Sequence, residues 1–97
     1  MPSRLSNPAN LPYAAQDMTV VALQALAWTL GEPARAARLL ALTGLTPDAL
    51  RDGADDRQLL AALLDFLAGH EPDLVACAAA IGVTPADLTR ARDGLAA

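Results

Sequence analysis

From Met18 to Leu30 the chain reads MTVVALQALAWTL, with Thr19, Gln24 and Thr29 as the only polar positions. A helix apolar on all sides is normally interior, so this run predicts a central helix entered behind Asp17 as N-cap. Glu32 and Pro33 restart the chain, because proline suits the first helical turn, where its missing N–H would be unpaired anyway. The stretch PARAARLLALT then predicts a second helix that sets Arg35 and Arg38 on one side and Leu39, Leu40 and Leu42 largely on another, stopped by Gly44. Thr46 and Pro47 open a short helix through about Arg51. Asp55 is placed as the cap of DRQLLAALLDFLAG, whose charge late in the helix is Asp65 alone, and this second apolar run is also expected to lie centrally. After His70, Glu71 and Pro72, PDLVACAAAI predicts a fifth helix ending at Gly82, and TPADLTRARDGL a sixth. The expectation is an all-α protein: a compact bundle of five to six helices.

The pattern repeats. Asp17 and Asp55, Trp28 and Phe66, Gly44 and Gly82, Thr46 and Thr84, Pro47 and Pro85, and Leu50 and Leu88 all stand 38 positions apart (55 minus 17, 82 minus 44), while the Glu-Pro pairs stand 39 apart (72 minus 33). A unit that cannot bury its own apolar face stacks on its neighbour, so residues 17–54 and 55–94 are read as two pseudo-repeated three-helix units of one domain spanning 16–97. Chance recurrence of capping chemistry is the alternative. Residues 1–15, with Pro2, Pro8 and Pro12, are expected to form a flexible arm.

Composition narrows the core and the partners. Hydrophobic residues make up 54% of the 97 but aromatics only 3%, so the core must be built from Leu, Ala and Val, a mixture that favours helices over strands. The formal charge is -4 and every basic residue is an arginine, a balance that repels phosphate backbones and anionic membranes on average. Cys77 has no second cysteine to pair with and suits a reducing compartment. No apolar leader and no helix near the ~20 residues needed to span a bilayer is visible, so a soluble cytoplasmic protein is expected, with no membrane partner.

The stretch AAAIGVTPADLTR is spelled like the bend of a helix-turn-helix: Ala78, Ile81, Val83 and Leu88 occupy the small and apolar positions around Gly82. On that alternative Thr84, Thr89, Arg90 and Arg92 would contact DNA. Capping explains the same letters: Gly82 as a left-handed stop, Thr84 as N-cap, Pro85 at the first turn and Asp87 three residues on. A recognition helix works mainly with its leading residues, which here are Pro85, Ala86 and Asp87. Two offer nothing to a base and the third repels phosphate, so nucleic acid is an unlikely partner.

Chemistry-bearing residues are sparse. His70, Asp73 and Cys77 have the spacing of one helical face, but three mixed donors at a helix start do not define a metal site, and the plainer reading makes Cys77 a small core residue. No catalytic, cofactor or metal residues are assigned. Trp28 and Phe66 are read as core anchors, with an exposed groove or homodimer seam as the alternative. Arg35, Arg38 and Arg51 give a basic side that is either solvated or a docking surface for an acidic partner.

The runs ALQALAWTLGEPARAARLLALTGLTPDALR and LLAALLDFLAGHEPDLVACAAAIGVTP resemble a family of small alphaproteobacterial proteins known as domain of unknown function 3572. The resemblance spans 17 to about 92 and rests on the W-x-L-x-E-P stretch, the L-x-x-T-G-L corner and the L-D-F-L run. It implies an all-helical fold, a bacterial cytoplasmic setting and a regulatory interaction role, and it supplies no catalytic residues. The leading expectation is therefore a non-enzymatic module that binds a protein partner or a second copy of itself. Its contacts would come from Leu11, Tyr13, Arg35, Arg38 and Arg51; a degenerate helix-turn-helix regulator is the alternative.

Overall fold

Six helices are cut from the chain by capping residues, as seen in a computed structural model that describes the backbone of residues 15–97 and the side chains of 18–97. Helix α1 (Ala15–Leu30) is followed by α2 (Pro33–Thr43), α3 (Pro47–Asp52), α4 (Arg57–Ala68), α5 (Glu71–Ile81) and α6 (Pro85–Ala96), with no strand among the described residues. The expected all-α bundle is thus the observed class, with six helices.

The two corners are built as the sequence implies. Gly44 and Gly82 lie at φ 74° and 80°, the left-handed region where an L side chain is strained. At the second corner Val83 N–H donates to Ala78 O at 2.9 Å, closing a Schellman turn; at the first, Leu45 N–H turns instead to the Thr43 hydroxyl at 3.3 Å. Thr46 and Thr84 accept from the backbone N–H three residues ahead, both at 3.0 Å. Only at Thr84 is the capping box complete, with Asp87 accepting from Thr84 N–H at 2.9 Å.

Two expected caps move. Helix α1 starts at Ala15 rather than behind Asp17, which lies inside the first turn, and Ala15 belongs to the helix rather than to an arm. Alanine and glutamine are good helix formers, and no proline after Pro12 interrupts them. Asp56, not Asp55, caps α4: its carboxylate accepts from Gln58 N–H at 2.9 Å, while its own N–H closes a turn onto Gly53 O at 2.8 Å. Although the Glu-Pro pairs themselves stand 39 apart, Glu32 is the N-cap of α2 and His70 that of α5, so the caps stand 38 apart (70 minus 32). Helices α2 and α5 share that offset at both ends (71 minus 33, 81 minus 43). The halves differ where α3 stops at Asp52 while α6 runs on to Ala96.

The core forms where α4, α6, α1 and α5 meet. Leu60, Leu63, Leu64 and Leu67 of α4 are each at most 1% exposed, and α6 presents Leu88, Ala91 and Leu95 at helical spacing against them. Ala22 and Ala25 of α1 are fully buried, small enough to let helices approach closely. Gly94 serves the same end: a Cβ there would lie 2.1 Å from Met18 Sδ, so α6 rests on α1 through bare backbone. Trp28 and Phe66, expected as core anchors, are partly buried and pack against this core rather than within it. Thr29, the one buried polar side chain among the described residues, returns its hydroxyl to Ala25 O at 2.8 Å.

Candidate functional site

Helix α1 has two apolar faces, and the described residues cover only one. Val21, Ala22, Ala25, Leu26 and Thr29 point into the core, and α2, α4, α5 and α6 all pack against the helix. On its other side Val20 is 47% exposed, Leu23 38% and Leu30 41%, with Ala27 and Gln24 also open to solvent. The sequence expectation that α1 is interior all round is therefore corrected: the bundle is too small to wrap it. Val20, Leu23, Ala27 and Leu30 follow one another at spacings of three, four and three, which lines them up along one stripe of a helix. No charged residue occurs from Met18 through Gly31. An exposed run of this kind is uncommon unless something covers it.

The stripe leads into a groove. Leu30 also lines a depression of about 460 Å³ between α1, α2 and α3, walled by Leu26, Ala36, Leu40 and Leu50 with Arg51 at its edge. A second depression, about 500 Å³, lies between α2 and α4 against Leu42, Phe66, Arg38 and His70, and Leu42 on its rim is 75% exposed.

The arginines expected to face an acidic partner have partners within the chain. The Arg35 guanidinium stacks over the Trp28 ring, Cζ 3.7 Å from its centre, and Nη2 donates to Trp28 O at 2.6 Å; its Nε is buried without a hydrogen bond. These contacts tie the start of α2 to the end of α1. Arg38 pairs with Asp73 across α2 and α5, and Arg51 with Asp48 at 2.8 Å within α3. Glu32, capping α2, accepts from Arg35 N–H at 2.9 Å and from Ala34 N–H at 3.3 Å, and these two backbone donors hold its carboxyl below the usual range. Leu11 and Tyr13 lie outside the described residues.

The residues of the DNA alternative are likewise engaged. The axes of α5 and α6 diverge by 98°, and Thr84, Pro85 and Ala86 lead α6 into solvent. Asp87 follows them, its carboxyl held low first by the Thr84 N–H and then by the Thr84 hydroxyl and Arg90, so the leading turn carries a negative charge. Arg90 pairs with Asp87, Arg92 with Asp93 at 3.1 Å and Asp65 at 3.6 Å, and the Thr89 hydroxyl donates to Ala86 O at 3.0 Å.

His70, Asp73 and Cys77 do not converge. His70 is exposed at the N-cap of α5 while Cys77 is fully buried, where desolvation pushes its thiol up to about 11, and among the described residues no three His, Cys, Asp or Glu side chains are grouped to hold a metal ion. Nor is any single helix among them long and apolar enough to cross a membrane.

The sequence expectation named charges and a terminal segment and did not single out the exposed Val20, Leu23 and Leu30. The signal lay in the three-four-three spacing within an uncharged run, masked by a second apolar face on the same helix. No curated protein and no solved structure matches the chain. A family model does, over residues 15–97, and by that match the chain belongs to the family described as protein of unknown function (DUF3572).

Proposed function

We propose that this chain is a non-enzymatic protein–protein interaction module with a regulatory role, and that it docks its partner on the outer stripe of α1. One observation carries the reading: Val20, Leu23 and Leu30 stand 38–47% exposed along a helix that carries no charge from Met18 to its end and whose opposite face is core. Burying such side chains stabilises a complex by about 25 cal/mol per Å² of apolar surface removed from water. The neighbouring groove beyond Leu30 gives a partner side chain somewhere to insert. A cytoplasmic setting belongs to the same reading and is supported by Cys77, a free, buried thiol.

The helix-turn-helix alternative is weaker on charge. It needs α6 to meet phosphates with Asp87 in its first turn and with arginines already facing Asp87, Asp93 and Asp65.

Immobilised full-length chain and its Leu23→Asp variant, matched for helicity by circular dichroism, test the proposal on native cell extract. The wild type is expected to retain proteins that the variant loses; an identical retained set overturns the docking surface. Duplex DNA titrated against salt is expected to show no steep salt-dependent binding, and a steep slope abolished by Arg90→Ala with Arg92→Ala would transfer the function to α6.

A further inference from the structure

We infer that the partner which fits the α1 stripe is a second copy of this chain, the two α1 helices packing antiparallel about a two-fold axis between Leu23 and Ala27. This rests on the interaction reading above and adds the identity of the partner. A two-fold interface presents the same patch to itself, so the patch must be self-complementary. Spacings of three, four and three read the same in both directions. Antiparallel pairing therefore sets Val20 opposite Leu30 of the second copy and Leu23 opposite Ala27 of the second copy, a large side chain on a small one in the middle of the seam. Parallel pairing would instead set Leu23 on Leu23 and Ala27 on Ala27, crowding one level and leaving a gap at the other.

Charge points the same way. A charged residue near a two-fold axis meets its own like-charged copy, and from Met18 through Gly31 there is none, although the chain as a whole carries -4. Exposed beside the stripe, Gln24 has a side-chain amide that both donates and accepts, so it too can face itself. At the outer end of the seam, Val20 of the second copy comes opposite Leu30, at the mouth of the groove between α1, α2 and α3. From Val20 to Leu30 the seam is only about 15 Å long at 1.5 Å per residue. It buries less than the ~1,200 Å² of a standard interface, so the dimer is expected to be weak and concentration-dependent.

Sedimentation equilibrium of the full chain from ~10 μM to ~1 mM, the range in which small interfaces saturate, is expected to show the average mass climbing toward two copies. Leu23→Asp, with helicity checked by circular dichroism, is expected to stay monomeric throughout. An independent readout covers the case in which that variant misfolds: Leu23→Cys and Ala27→Cys copies, mixed and oxidised at equilibrium, should give the mixed disulfide in several-fold excess over either symmetric one. Preferential pairing of Ala27→Cys with itself overturns the antiparallel seam. A wild type that is strictly monomeric at 1 mM overturns self-pairing altogether. If that monomer still retains other proteins in a Leu23-dependent way, the interaction reading stands with a different partner; if it retains none, both fall.

Discussion

Leu23 and Leu26 offer a comparison internal to one helix. They are the same residue type, three positions apart on α1, and the fold gives them opposite environments: Leu26 is 7% exposed and Leu23 38%. Truncating each to alanine removes the same atoms. At Leu26 the loss includes the transfer term and a residual cavity, which for buried leucines totals about 2–5 kcal/mol; its position on a groove wall, where the site can relax, puts it near 2–3 kcal/mol. At Leu23 water fills the gap, the cavity term vanishes and only part of the transfer term is lost, about 1 kcal/mol. For a chain of this size a urea m-value near 1–1.5 kcal/mol/M turns these into midpoint shifts of about 2 M and about 0.7 M. Urea unfolding followed by far-ultraviolet circular dichroism measures both, at ~5 μM chain so that association adds little to stability. Equal shifts, or a larger one for Leu23→Ala, would refute the assignment of the two faces.

Three further outcomes follow from the same contacts. Arg35→Ala removes the guanidinium over Trp28, the only tryptophan, and should cost about 1 kcal/mol while changing the tryptophan emission; unchanged emission would contradict the stacking. Gly82→Ala forces a side chain into φ 80° and should lower stability by about 1–2 kcal/mol in urea unfolding, whereas Ala80→Gly, on the exposed side of α5, should cost no more than about 1 kcal/mol. Burial raises the Cys77 thiol from its ordinary 9.0 to about 11, so the folded state holds the proton more tightly than the unfolded one. Its contribution is intact below pH 9 and is lost as pH climbs toward 11; a Cys77→Ala variant should show a shallower fall in stability across that window, and an equal fall would count against a desolvated thiol.

Capping chemistry made most of the fold legible in the sequence. Gly44 and Gly82, each followed by an apolar residue and Thr-Pro, mark both corners because only glycine enters the left-handed region freely and proline needs no donor at a helix start. The caps of α1 and α4 were less legible, since adjacent Asp55 and Asp56 are chemically equivalent and a turn through Gly53 chose between them. The exposed stripe on α1 was hidden for a different reason. Periodicity separates one apolar face from one polar face, and α1 is apolar on both, so nothing in the run distinguishes Leu23 from Leu26 until the other helices are in place. The setting of Arg35 was not legible either: it reads as surface charge, yet its head lies on an indole seven residues behind it, a contact set by how α1 meets α2.

On the proposed reading, the uncovered side of α1 is where this chain meets its partner. Methyl-resolved nuclear magnetic resonance during a concentration series, or on adding a protein retained from extract, tests it most directly. Progressive shifts are expected at Val20, Leu23 and Leu30, with Leu42 and Val75, which are equally open to solvent or more so, left unchanged. Shifts confined to Leu42 and its neighbours around Phe66 would contradict it.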